Sequence, residues 1–200
     1  MSDIAHDEQV HETTGIETRK LAMWIFLSSE FMFFGALISN YLLFKGRPGF
    51  PEPYPSEVFD IPFTSVSSFV LLMSSLTMVL ADHALHKDDQ RSTRTWLVAT
   101  ALLGMVFLAG QVFEFAGFVT EEVPMKLSTN PAASAFFTLT GFHGMHVLVG
   151  VIMLLTLVGV SFRKGKLSTA TGLNLESVAL YWHFVDIIWI VIFTIVYLIK

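Results

Sequence analysis

The chain has 200 residues, of which 53% are hydrophobic and 14% charged, with a mean hydropathy of +0.61 and a net charge of -5. About 25% charged residues is usual in a soluble domain, so this composition excludes an ordinary soluble fold, and the acidic balance argues against a nucleic-acid partner. Cysteine is absent, which rules out disulfides, cysteine-ligated iron–sulfur clusters, thioether-bound haem and thiolate copper sites.

Residues 1–20 carry Asp3, Asp7, Glu8, Glu12 and Glu17 and no apolar run. They read as a solvated acidic tail, not a signal peptide, which needs a basic start and a hydrophobic stretch. His6 and His11 fall in this tail and read as part of it. Five long apolar runs follow, at 21–44, 64–85, 95–120, 132–162 and 175–199. Each exceeds the roughly 20 residues that a helix needs to cross a bilayer core. Backbone groups in lipid must pair within their own segment, so the runs are predicted to be helices. The predicted fold is an all-α integral membrane bundle of five transmembrane helices over 21–200.

All seven prolines fall between these runs, five before the second and two before the fourth. Proline breaks interior helix hydrogen bonds, so its placement supports the boundaries. Lys and Arg residues set the orientation. Arg19, Lys20, Lys87, Arg91, Arg94, Arg163, Lys164 and Lys166 lie on the N-terminal side, and Lys45, Arg47, Lys126 and Lys200 on the other. Eight against four predicts a cytoplasmic N-terminus and a C-terminus outside.

Strongly polar and ionisable side chains inside these runs each need a reason, because a central Asp costs about 2.5–3.5 kcal/mol on insertion scales. The first run has Glu30 and the second Asp82 and His83. The third has Gln111 and Glu114, the fourth His143 and His146, and the fifth His183 and Asp186. These residues are predicted to form a polar seam that joins helices through His–carboxylate hydrogen bonds, with Glu30 facing a histidine of the fourth helix and His183 or Asp186 facing the third or fourth. A haem site is the alternative, but both histidines of the fourth run project from one helix. A di-iron bundle needs Glu-x-x-His on two helices, and none of the five apolar runs contains that motif. A proton-coupled transporter is a further alternative, since ionisable groups at depth mark proton relays. Gly104, Gly110 and Gly117 in the third run and Gly141, Gly144, Gly150 and Gly159 in the fourth predict that these two helices form the closest pair. Trp24, Trp96 and Tyr197 near run ends read as interfacial anchors. Trp182 and Trp189 lie deeper and read as packing residues.

The segments Gly141-Phe142-His143-Gly144-Met145-His146-Val147 and Tyr181-Trp182-His183-Phe184-Val185-Asp186-Ile187-Ile188-Trp189 resemble subunit III of haem–copper respiratory oxidases. Ser29-Glu30 with Phe33-Phe34-Gly35, Ser74 to Thr77 ahead of Asp82-His83, and Gln111 with Glu114-Phe115 fit the same family in the same order. The resemblance implies a subunit of a terminal oxidase that reduces dioxygen to water and pumps protons. It implies no haem, copper or other metal in this chain, those centres being in partner subunits, and a support role beside the catalytic subunit I in structure, proton uptake and phospholipid binding. Glu30 matches the family's carbodiimide-reactive glutamate, and Glu30 and His146, with the basic Arg163 and Lys164, are the candidate lipid-binding residues. Longer members have two further N-terminal helices that form a lipid-filled cleft, so this chain resembles the short bacterial form, set in the cytoplasmic membrane. Phe142, Glu30 and the run from Tyr181 to Asp186 lean toward a cytochrome c oxidase over a quinol oxidase.

Overall fold

The computed structural model describes residues 18–47, 49, 53, 59–120, 124–164, 167 and 172–199. Regular structure among them is entirely helical. The helices are α1 (Thr18–Phe44), α2 (Ile61–His86), α3 (Gln90–Thr120), α4 (Pro131–Lys164) and α5 (Gly172–Phe193). A π-helical turn, Thr194–Leu198, ends the last of them. All five are long and apolar enough to cross a membrane. Most of the acidic tail lies outside the described residues.

Helices α2, α3 and α4 begin before their apolar runs because polar side chains cap their free N–H groups. Asp60 accepts a hydrogen bond from the Phe63 amide at 3.1 Å. Asp89 accepts one from the Ser92 amide at 3.2 Å, and Asn130 one from the Ala133 amide at 2.7 Å. Pro62 and Pro131 therefore stand in first turns of helices and not between them. Proline is tolerated there, since its missing N–H would have no intrahelical partner.

Helices α2, α3, α4 and α5 close a four-sided bundle, each touching the next and α5 returning to α2. α1 packs on the outside, against α4 and α5. Only 11% of its most apolar window is buried, against 28–39% in the other four, which makes α1 the peripheral helix. Both of its ends are tied to α5. At one end Lys20 forms an ion pair with Glu176. At the other the Lys45 ammonium donates to the backbone carbonyls of Ile195, at 2.7 Å, and Ile199. Lys45 thus satisfies carbonyls that a helix C-terminus leaves without intrahelical partners.

The closest pair is α2 with α3, not the expected α3 with α4. The loop at 87–89 is short, with Asp88 at a φ of 55° in the turn, so the two helices are antiparallel neighbours. Small side chains line the contact. Thr77 and Thr100 hydroxyls are 2.8 Å apart, and Gly110 faces Ser67. The glycines of α3 and α4 serve another purpose. A Cβ on Gly104 would lie 2.5 Å from the Trp182 ring, and one on Gly150 would lie 2.7 Å from it. These two glycines make room for one indole of α5 in the bundle core. Gly144 likewise makes room for Gln111, while a Cβ on Gly117, Gly141 or Gly159 would meet nothing within 4 Å.

Tyr197 is buried with its ring 4.3 Å from that of Phe59, so it packs in the core of the bundle. Phe118, Phe136 and Phe115 complete an aromatic cluster at that end of the bundle. Trp24 is 57% exposed, as an interfacial anchor would be, and Trp96 is half-buried.

Candidate functional site

Polar groups at depth occur as separate contacts between helices, not as one continuous seam. Between α1 and α4, Glu30 Oε2 lies 3.1 Å from His146 Nε2. The other ring nitrogen, Nδ1, is 2.7 Å from the Phe142 carbonyl one turn back, which fixes the ring. Tyr181 of α5 donates its hydroxyl to the His146 carbonyl at 3.0 Å. Three helices therefore meet at His146. This is the expected pairing of Glu30 with a histidine of the fourth helix.

Between α2 and α5, Ser75 Oγ lies 2.9 Å from His183 Nδ1 and donates to Asp186 Oδ2. His183 and Asp186 thus face the second helix, and not the third or fourth as expected. The i,i+3 spacing does bring both onto one face of α5, and that face packs on α2. On the same interface Trp182 donates to Ser74 Oγ at 3.0 Å and Trp189 to Ser68 Oγ at 2.9 Å.

Gln111 of α3 donates to the Thr140 carbonyl of α4 at 2.8 Å. Glu114 accepts from the Thr64 hydroxyl at 2.7 Å and from the Tyr197 hydroxyl at 3.4 Å. That carboxylate links α2, α3 and the π-helical turn.

Three expected members stand apart from these contacts. His83 is exposed on the outer face of α2. Asp82 faces His86 one turn on, at 3.6 Å, with its Oδ1 lacking a hydrogen-bond partner among the described residues. His143 is fully buried, stacked on Trp189 at 4.8 Å and set edge-on to Phe107 at 5.9 Å, with no hydrogen-bond partner among the described residues for either nitrogen. A step of three residues rotates about 300° around a helix. His143 and His146 are therefore offset by about 60°, enough to send one into the aromatic core and the other to α1. The side chains of Arg163 and Lys164 lie outside the described residues.

Sequence reasoning missed the hydroxyl partners, namely Ser68, Ser74, Ser75, Thr64 and Tyr197. A signal for the first three was available. Ser68 and Ser75 are seven apart, and Ser74 adjoins the second, so they share a stripe on an otherwise apolar helix. The tyrosine and threonine partners of Glu114 come from two distant segments and leave no such local pattern.

Chemically, the arrangement joins helices. Among the described residues no three His, Asp or Glu side chains converge on a point where a metal ion could sit. Imidazoles occur on α2, α4 and α5, and His143, His146 and His183 each face a different neighbour. Among the described residues the chain thus has five helices long and apolar enough to cross a membrane, with several buried polar contacts between them.

The profile of the family described as "Cytochrome c oxidase subunit III" matches residues 2–200. The chain is 36% identical to "Cytochrome c oxidase subunit 3" of Thermostichus vulcanus over 184 residues, covering 91% of this chain and 88% of that protein. It is also 36% identical to "Probable quinol oxidase subunit 3" of Staphylococcus saprophyticus over 193 residues, covering 96% and 93%. A similar protein of Staphylococcus haemolyticus is 35% identical over 196 residues. The chain belongs to the cytochrome c oxidase subunit III family, and is a multi-pass membrane subunit of a haem–copper respiratory oxidase.

Proposed function

We propose that this chain is the subunit III of a cytochrome c oxidase in a bacterial cytoplasmic membrane. It carries no redox centre and supports the catalytic subunit I, which holds haem and copper and reduces dioxygen while protons are pumped. Its N-terminus is cytoplasmic, following the eight-to-four bias of basic residues. The membrane domain begins with α1 at Thr18. The observation that carries the support role is the Glu30–His146 contact with Tyr181, which commits the midmembrane glutamate to holding α1 on the bundle. A group so engaged is a structural tie. The same helices place Glu30 and His146 at the α1–α4 edge, where an acyl chain would pack against Phe33 and Phe142, both exposed there.

A second reading, subunit III of a quinol oxidase, has equal support from the relatives. A relative named for that enzyme matches at 36% identity, as does the one named for cytochrome c oxidase. Affinity purification of the tagged chain from its native membrane tests both. The expected preparation contains a haem–copper subunit and consumes oxygen with reduced cytochrome c. Turnover with quinol alone would establish the second reading, and a preparation without any haem–copper subunit would overturn both.

A further inference from the structure

Helix α1 is held unevenly along its length. Leu27, Phe34 and Tyr41 are buried. They stand seven residues apart and form the seam by which α1 lies on the bundle. Of residues 20–26, ahead of that seam, none is buried: Met23 is half-buried and the rest are exposed. The C-terminal end is anchored by Lys45 on the carbonyls of Ile195 and Ile199, and the middle by Glu30 on His146. The N-terminal end has the Lys20–Glu176 ion pair, whose side chains are 45% and 36% exposed. An exposed pair is a weak tie, and salt screens it.

The join between the loose and the fixed part falls on two adjacent serines. Ser28 donates to the Trp24 carbonyl at 2.8 Å and Ser29 to the Phe26 carbonyl at 2.7 Å. Such back-bonding weakens a helix slightly and favours a bend. Glu30, the pinned residue, comes next. On the other side of the pair Phe26 stacks on Tyr181, with ring centroids 6.4 Å apart. A cavity of about 390 Å³ separates the loose segment from α2 and α5, with Met23 and Trp24 on one wall and Met78, Leu180 and His183 on the other. Asp82, the second carboxylate on that cavity, faces His86 at 3.6 Å.

We propose that residues 18–27 form an arm, hinged at Ser28–Ser29 and latched by Lys20 and Glu176, that swings outward when the latch breaks and opens this cavity sideways to the membrane. Ions that compete for either partner of the latch are the trigger. The device needs only the bundle in its membrane, and holds whichever electron donor the oxidase uses.

Pulsed dipolar electron resonance on the assembled complex in bilayer discs tests it. Nitroxides are carried by azidophenylalanine in place of Leu21 and Phe162, which are 44% and 66% exposed. Leu21 stands about 11 Å along the helix from the hinge, so a bend of about 20° carries it about 4 Å. At low salt the closed distance should dominate. Salt at about 1 M, or Lys20→Gln, should populate a second distance about 4 Å from the first. The ratio of closed to open arm should fall by about two- to fivefold, the range that an exposed ion pair delivers. Adding Ser28→Ala and Ser29→Ala to Lys20→Gln should stiffen the hinge and shrink the second population. A label pair at Leu42 and Phe162, on the fixed part of α1, should keep one distance throughout. A Leu21 distance unmoved by salt and by Lys20→Gln, an open population unchanged by the two alanines, or a Leu42 distance that moves with that of Leu21 would each overturn the proposal. Should Lys20→Gln fail to assemble, the salt series on the complex with its native latch decides it.

Discussion

Trp182 donates its indole N–H to the hydroxyl of Ser74, 3.0 Å away, and so binds α5 to α2 through the middle of the bundle. The ring occupies space that Gly104 of α3 and Gly150 of α4 leave open. One side chain therefore sets the approach of four helices, and its burial is complete.

Adding a methyl group at either glycine should be costly, because the indole has no flexible end to yield. Gly104→Ala and Gly150→Ala are each expected to destabilise the subunit by about 1–3 kcal/mol, the usual range for overpacking. Gly117→Ala and Gly159→Ala, whose Cβ atoms would meet nothing within 4 Å, should leave stability unchanged or slightly raised. Thermal denaturation of the detergent-solubilised complex distinguishes the two sets.

The tryptophan–serine bonds are expected to contribute little individually. Ser68 Oγ also donates to the Thr64 carbonyl at 2.7 Å, and Ser74 Oγ to the Leu71 carbonyl, so neither hydroxyl is orphaned when its indole is removed. Trp189→Phe should cost about 0.6 kcal/mol for the lost bond, and no more than about 1.7, plus the smaller ring's packing loss. Ser68→Ala in the same background measures the bond alone through a double-mutant cycle.

Glu30→Gln is expected to leave assembly intact, because the amide still offers a partner to His146 across the same 3.1 Å. His146→Ala removes the contact with Glu30 and opens the meeting point of α1, α4 and α5. It should lower detergent stability and loosen attachment to the catalytic subunit. Gel filtration of the two variant complexes compares them directly, and complete loss of the complex in Glu30→Gln would contradict the structural role given to that carboxyl.

Lys45→Met should free the carbonyls of Ile195 and Ile199. Hydrogen exchange at residues 194–199 is then expected to quicken several-fold, since an unsatisfied helix terminus frays, while exchange in the centre of α5 stays as it was.

The helices were legible in the sequence because their signal, an apolar run of membrane length, is local and strong. Their starts were less so. Asp60, Asp89 and Asn130 are polar, and a hydropathy reading ends where they begin, although it is these caps that extend the helices. Residues bearing charge at depth could also be picked out one by one. Their partners could not. His183 and Asp186 share a face by spacing, but which helix that face meets depends on the order of α2 to α5 around the bundle, and no run of residues encodes that order. The glycines of α3 and α4 misled for a related reason. A small residue signals close approach without saying whether a backbone or, as at Gly104 and Gly150, a tryptophan ring fills the space.

The central claim is that the buried imidazoles and carboxylates of this chain are committed to contacts between helices and hold no prosthetic group. Separating the subunit from its complex in mild detergent and recording its visible spectrum with its iron and copper content tests this most directly. The account expects no Soret band and no stoichiometric metal. A Soret band at one haem per chain, abolished by His143→Ala or His183→Ala, would contradict it.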